Sequence, residues 1–319
     1  VRAAVVNTAG EAPVCADFPN PEPRPGRRPL RLVGAGLHHV VRALASGHHY
    51  GSEQAYPLIP GVDAVARNDE GRLVYTGLAE SPWGTMAEWL ATPFEVELPA
   101  GTDPLAVAAG MNAAMSGWMA LAARREEVGD LGTVLVLGAT GMSGGLAVRA
   151  ALFLGAERVI AAGRDHETLE QLRACGAVTV ALPAAAPDTW AVALGTAVAG
   201  AQPALVLDFV WGPVAEAAFA ALGTPGTDTH RAAIDYVQIG SLAGTEVALP
   251  AALLRSRRIK ISGSGAGSVP KAQMIAEVPE IIARFADGTF DAPYTLYPLS
   301  RVGEAWAHQG RTRAVVVPD

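Results

Sequence analysis

The chain has 319 residues, half of them hydrophobic and 17% charged, with a formal net charge of −7. That is length enough for two domains and apolar content enough for a large core, which excludes a disordered chain. The acidic balance gives no basis for nucleic acid as a partner, and two cysteines, Cys15 and Cys175, build neither a disulfide framework nor a four-cysteine zinc lobe. In chain order, the first stretch is strand-and-turn material. Short apolar segments at Ala3–Val6, Leu30–Val33 and Leu73–Tyr75 are broken by Pro and Gly clusters such as 19–29. An Ala-, Met- and Leu-rich pattern from Pro104 to about Ala123 predicts one helix, with Gly110 a candidate break.

From Thr133 the texture changes. Strands are predicted at Val134–Gly138, Arg158–Ala162, Val178–Leu182, Leu205–Phe209, Tyr236–Gly240 and Ile259–Gly263. Helical stretches lie between them at Gly144–Leu154, His166–Cys175, Thr189–Val198 and Pro213–Leu222. Apolar strands alternating with helices imply a parallel, doubly wound sheet covered on both faces. After Gly267 come an amphipathic helix, Pro270–Asp287, and strands near Pro293–Tyr297 and Arg313–Val317. This tail is too small to fold alone and is expected to pack on the N-terminal domain, making that domain discontinuous. Val1 opens directly into VRAAVV, and apolar runs such as 217–222 and 247–254 fall short of the roughly 20 residues of a membrane-crossing helix. A soluble cytoplasmic protein with no membrane partner is therefore expected.

The sharpest local signal is VLVLGATGMSGGLAV, in which a buried strand runs into Gly138, Ala139, Thr140, Gly141, Met142, Ser143 and Gly144, and a helix starts at once. Small residues permit the tight turn, backbone approach to a pyrophosphate, and close packing of helix on strand. The phosphate would sit at the helix N-terminus. An NAD site calls for an acid at the end of the second strand, an NADP site for a cation. Here Gly163 and Arg164 stand there, which indicates NADPH: Arg164 can fork onto a 2′-phosphate for which Gly163 leaves room. The plainer alternative makes Arg164 a surface charge beside Asp165 as helix cap.

Taken together, VRAAVV, GAGLHHVVRALASGHHYG, the IPGVD turn, WGTMAEW, LGATGMSGGLAV, VQIGS and the closing RAVVVP resemble the medium-chain dehydrogenase/reductase superfamily. Within it, the chain is similar to the zinc-independent, quinone oxidoreductase-like branch. The resemblance implies a Rossmann doubly wound parallel sheet, residues 116–267, that binds NADP. It would be inserted into a discontinuous, GroES-like, mostly β catalytic domain made of residues 1–115 and 268–319. It also implies a cleft between the domains and a homodimer. Where zinc-dependent relatives carry ligands, this chain has Gly36-Leu37-His38 and Gly61-Val62-Asp63; only His38 could ligate, against the three ligands a catalytic zinc needs.

Without a metal, a proton donor or hydrogen bonds must polarise the acceptor. Tyr50, eleven residues before Gly61, matches the tyrosine that zinc-less relatives place at the active-site mouth. A half-buried loop tyrosine is the alternative, and Tyr56 lies near enough to replace it. His38 stands where many relatives have an Asn beside the nicotinamide, and could orient that ring or donate a proton; a structural, hydrogen-bonded histidine is the competing view. Ser116 matches a Thr/Ser position that meets the cofactor in relatives, with helix packing as the alternative. Gly240 and Ser241 end a predicted strand, where ligands of such sheets lie, although a plain turn explains the glycine equally. The expected reaction is hydride transfer from NADPH to a small hydrophobic quinone or α,β-unsaturated carbonyl compound. An enoyl-thioester or polyketide-tailoring reductase, or a non-catalytic NADPH-binding sensor, is the alternative.

Overall fold

A computed structural model describes residues 1–21, 26–53, 55–223 and 233–319. Residues 22–25 of the Pro- and Gly-rich stretch lie outside them. The chain divides into two units, Val1–Ala113 with Ala276–Asp319, and Ala114–Ile275.

The first unit opens with β1 (Arg2–Val5), β2 (Val14–Asp17), β3 (Arg28–Gly36), α1 (His39–Ala45), β4 (Asp63–Arg67), β5 (Leu73–Gly77), β6 (Trp89–Thr92) and β7 (Val96–Glu97). The next element, α2 (Pro104–Val128), is continuous, so Gly110 is no break. The glycine is required by packing instead. A Cβ there would lie 2.5 Å from the Cβ of Ala292 and 2.7 Å from the ring of Phe285. By length and composition α2 could also cross a membrane, unlike the shorter apolar runs considered from sequence, but 67% of its most apolar window is buried, as in a core helix.

The second unit alternates strand and helix: β8 (Thr133–Leu137), α3 (Met142–Phe153), β9 (Arg158–Gly163), α4 (His166–Ala174), β10 (Val178–Ala181), α5 (Trp190–Ala199), β11 (Leu205–Asp208), α6 (Gly212–Gly223), β12 (Ile234–Gln238), α7 (Ala251–Ser256) and β13 (Ile259–Gly263). Its six strands are parallel and ordered β10-β9-β8-β11-β12-β13, the 3-2-1-4-5-6 arrangement of a Rossmann sheet. Every residue of β8 and β11 is buried, which is why they read in sequence as unbroken apolar runs. Strand order reverses between β8 and β11, the place where such sheets take their ligands.

The chain ends with α8 (Lys271–Ala286), β14 (Tyr294–Pro298), α9 (Val302–Ala307) and β15 (Arg313–Val317). Helix α8 buries Val278, Ile281, Ile282 and Phe285, one stripe at helical spacing. Strand β15 pairs antiparallel with β3, Val315 opposite Gly36, so the C-terminal residues complete a seven-stranded sheet ordered β14-β15-β3-β4-β5-β7, with β6 also on β3.

Candidate functional site

Gly138 leaves β8 with φ +82°, a conformation few L-residues adopt, and its N–H and that of Ala139 both donate to the carbonyl of Ala162, at 3.0 and 2.9 Å. Gly141 caps α3 without offering a side chain to the first-turn N–H groups. Its backbone is exposed, and a Cβ on it would meet nothing nearer than 3.5 Å, so the turn is open to a ligand. At Gly144 a Cβ would fall 2.3 Å from the carbonyl oxygen of Gly138, so only glycine lets the helix start against the turn. This cradle fits a dinucleotide pyrophosphate: exposed backbone at Gly141, a helix start with no capping side chain over it, and the positive end of a 12-residue helix.

Thr140 ties the turn to the second strand. Its hydroxyl accepts from the Arg164 N–H at 3.3 Å, and its side chain fills the space a Cβ on Gly163 would need, at 2.5 Å. Gly163 is buried and Arg164 exposed, and among the described residues the Arg164 guanidinium makes no ion pair. Asp165 does cap α4, accepting from the N–H and hydroxyl of Thr168 at 2.9 and 2.6 Å. Ser116 lies half-buried on α2; beside it, Gly117 brings that helix onto α3, where a Cβ would stand 2.6 Å from the Cβ of Ala147.

The ends of β11 and β12 bring in residues that motif reading passed over. Asp208, wholly buried, accepts from the N–H groups of Val210 and Trp211 at 2.9 and 2.8 Å and from the Tyr236 hydroxyl at 2.6 Å. Burial pushes the Asp208 carboxyl up despite those three donors, and burial with the neighbouring carboxylate pushes the Tyr236 phenol well up. The bonds hold Trp211 at φ +57°, left-handed backbone that costs a non-glycine residue about 1 kcal/mol or more. The Gly240 N–H donates to the Asp208 carbonyl at 3.1 Å, and a Cβ on Gly240 would strike the Phe209 carbonyl at 2.4 Å. Ser241 follows, exposed. Residues 138–144, 163–164, 208–211 and 240 thus share the carboxyl edge of one sheet. An aspartate closing the apolar LVLD strand was the available signal.

In the first unit His38 precedes α1 and is 2% exposed. Its Nε2 lies 3.0 Å from Oδ1 of Asp63, also buried, whose Oδ2 accepts from the Tyr75 hydroxyl at 2.9 Å. Pairing of β4 with β5 sets Asp63 opposite Gly77 and Val65 opposite Tyr75, so Asp63 and Tyr75 are diagonal neighbours on one face. The Thr85 hydroxyl donates to the Asp63 carbonyl at 2.8 Å. Gly36 leaves the space: a Cβ there would lie 2.6 Å from the His38 Nε2. Tyr50, by contrast, is 74% exposed, its ring 4.0 Å from that of His49, and Tyr56 spends its hydroxyl on the Ala45 carbonyl at 2.9 Å. The structure therefore separates Tyr50 and His38 by environment.

A cavity of about 450 Å³ opens in the same unit, lined among others by His39, Arg42, Trp306, His308 and Arg313, with no carboxylate in its lining among the described residues. Burial lowers the His39 imidazole, helped by Arg313, Arg42 and His38. This lining is basic, with two arginines and two histidines. Among the described residues no cluster of three or more His, Cys, Asp or Glu is arranged to hold a metal ion.

No family model matches the chain. A probable NADPH-dependent quinone reductase of Emericella nidulans is 30% identical over 364 residues, covering 100% of both proteins. The quinone oxidoreductase of Thermus thermophilus, solved also as its complex with NADPH, is 25% identical with a TM-score of 0.77, over 99% of this chain and 100% of its own. An alcohol dehydrogenase superfamily protein of Novosphingobium aromaticivorans shares the fold at a TM-score of 0.81 and 22% identity, over 100% of this chain and 99% of its own. With a full-length relative at this identity, the glycine-rich turn and the strand order in place, the chain belongs to the medium-chain dehydrogenase/reductase superfamily and to its quinone oxidoreductase-like members.

Proposed function

We propose that this chain is an NADPH-dependent quinone oxidoreductase in which residues 116–267 hold the cofactor and residues 1–115 with 268–319 act on the acceptor. The observation that carries the reading is the open Gly138–Gly144 turn beside the exposed Arg164 on Gly163. The NADPH named for the Emericella and Thermus proteins supports it. NADPH, when bound, supplies the hydride. The N–H groups that open α3 take up the pyrophosphate charge. Gly163 gives the Thr140 side chain its place between the turn and β9, the exposed Arg164 fork neutralises the 2′-phosphate, and Ser116, Gly240 and Ser241 complete the cofactor contacts. Tyr50 and His38 are the candidates for the group that meets charge on the acceptor oxygen.

Zinc has no part in this reading. His38 already gives Nε2 to Asp63, and Val62 has no donor atom, so the set stays short of the three protein ligands a catalytic zinc takes. A cytoplasmic homodimer completes the reading, with both cysteines free thiols. Sedimentation velocity should give twice the 32.8 kDa of one chain, and a single-chain mass would remove the dimer.

The cofactor claim is tested by Arg164→Ala. Binding of NADPH, followed by nicotinamide fluorescence, should weaken by about 10-fold or more, the scale of one charge-assisted hydrogen-bond pair, while NADH binding stays near its starting value. Equal losses for both nucleotides would show that Arg164 does not read the 2′-phosphate.

A further inference from the structure

We propose that Thr140 is a positioning residue that sets the preference for NADPH over NADH: its hydroxyl holds Arg164 where the guanidinium meets the 2′-phosphate. The inference rests on the NADPH reading above and names a second determinant of it. Every residue involved belongs to the second unit.

Two properties of the Thr140 side chain carry it. The first is the hydroxyl, which accepts from the backbone N–H of Arg164 at 3.3 Å. Arg164 is thereby bonded to a residue inside the Gly138–Gly144 turn, the same turn whose open backbone is offered to the pyrophosphate. The second is shape. A Cβ on Gly163 would stand 2.5 Å from Cγ2, 2.7 Å from Oγ1 and 3.1 Å from Cβ of Thr140, so the whole side chain lies on the Gly163 backbone. Gly163 is buried and is not in the left-handed region, so its backbone angles do not call for glycine. The close approach of Thr140 does.

The neighbours of Arg164 are anchored on the other side. The Gly163 carbonyl accepts from the Leu182 N–H at 2.7 Å, just past β10, and Asp165 caps α4 through Thr168. Arg164 itself is exposed, and the Thr140 bond ties its backbone to the turn. A long side chain binds more tightly the less it must be ordered on binding, and an arginine fork onto phosphate is demanding of geometry. Fixing the start of that side chain on the pyrophosphate cradle sets the spacing between the two phosphate sites. A change in that spacing is felt by NADPH and not by NADH, which carries a hydroxyl where NADPH carries the 2′-phosphate. A packing role alone would act differently, because loosening the turn weakens both nucleotides alike.

The experiment uses the full chain and measures dissociation constants for NADPH and NADH by nicotinamide fluorescence. The proteins are wild type, Thr140→Val, Thr140→Ser, Arg164→Ala, and Arg164→Ala combined with Thr140→Val. Thr140→Val keeps the shape and removes the acceptor, so the preference for NADPH should fall by about 3- to 10-fold, the worth of one hydrogen bond. Thr140→Ser keeps the acceptor and should hold the preference within about 2-fold of wild type. On the Arg164→Ala background, Thr140→Val should leave the preference where it is, because its effect passes through Arg164. If urea unfolding shows that Thr140→Val does not fold, Thr140→Ala removes the same acceptor and carries the same test. Loss of both nucleotides in equal measure, or no change in preference, would overturn the proposal. So would a fall in Thr140→Ser as deep as in Thr140→Val, or a further fall on top of Arg164→Ala. A wild type that binds the two nucleotides equally would defeat the NADPH reading itself, and this proposal with it.

Discussion

Asp208 shows how one buried carboxylate organises the loop at the reversal of the Rossmann sheet. Its two oxygens take three donors, and two of those are the backbone N–H groups that set the left-handed turn at Trp211. Burial raises its carboxyl in the folded state above the ordinary 3.8. The folded protein therefore binds more protons than the unfolded chain between 3.8 and that raised value. Stability from this group is fully present below 3.8 and declines as pH rises through the raised value. Chemical denaturation of wild type and Asp208→Asn should show this: the variant loses that slope. Tyr236→Phe, which removes one donor to a buried acid, should destabilise by about 1–3 kcal/mol at neutral pH. Parallel pH curves for wild type and Asp208→Asn would contradict the assignment.

Among elements, α2 and α5 carry glycines of opposite meaning. Gly110 on α2 is pressed against Ala292 and Phe285, whereas a Cβ on Gly195 of α5 would meet nothing within 4 Å. Helix propensity alone favours alanine at both by about 1 kcal/mol. At Gly110 the overlap should dominate, so Gly110→Ala loses about 1–3 kcal/mol in urea unfolding while Gly195→Ala gains up to about 1. Matching changes of one sign would contradict the packing account. The same contrast explains what was legible in the sequence. The strands of the parallel sheet, buried on both faces, announce themselves as apolar runs. In the mostly antiparallel sheet, β4 begins at Asp63 and ends at Arg67, and β7 has only two residues, so neither offers a run to read. Helices α1, α7 and α9 span six or seven residues, less than the pattern needs.

For the whole molecule, legibility follows how the site is assembled. The glycine-rich turn is contiguous from 138 to 144, so its chemistry stands in the sequence as a word. Asp63 and Tyr75 are joined by a β register that is invisible until β4 and β5 are paired, and His38 meets Asp63 from the start of α1. Asp208 and Tyr236 meet in the same way across the adjacent strands β11 and β12. His38 was picked out by position alone, and its partners only by the fold. The central claim, a chain that passes hydride from NADPH to a quinone, is tested most directly by following NADPH absorbance with naphthoquinone and the purified full-length protein. The account predicts one NADPH consumed for each hydroquinone formed, with NADH far less effective. A protein that binds NADPH yet leaves it unoxidised across a panel of quinones would contradict it.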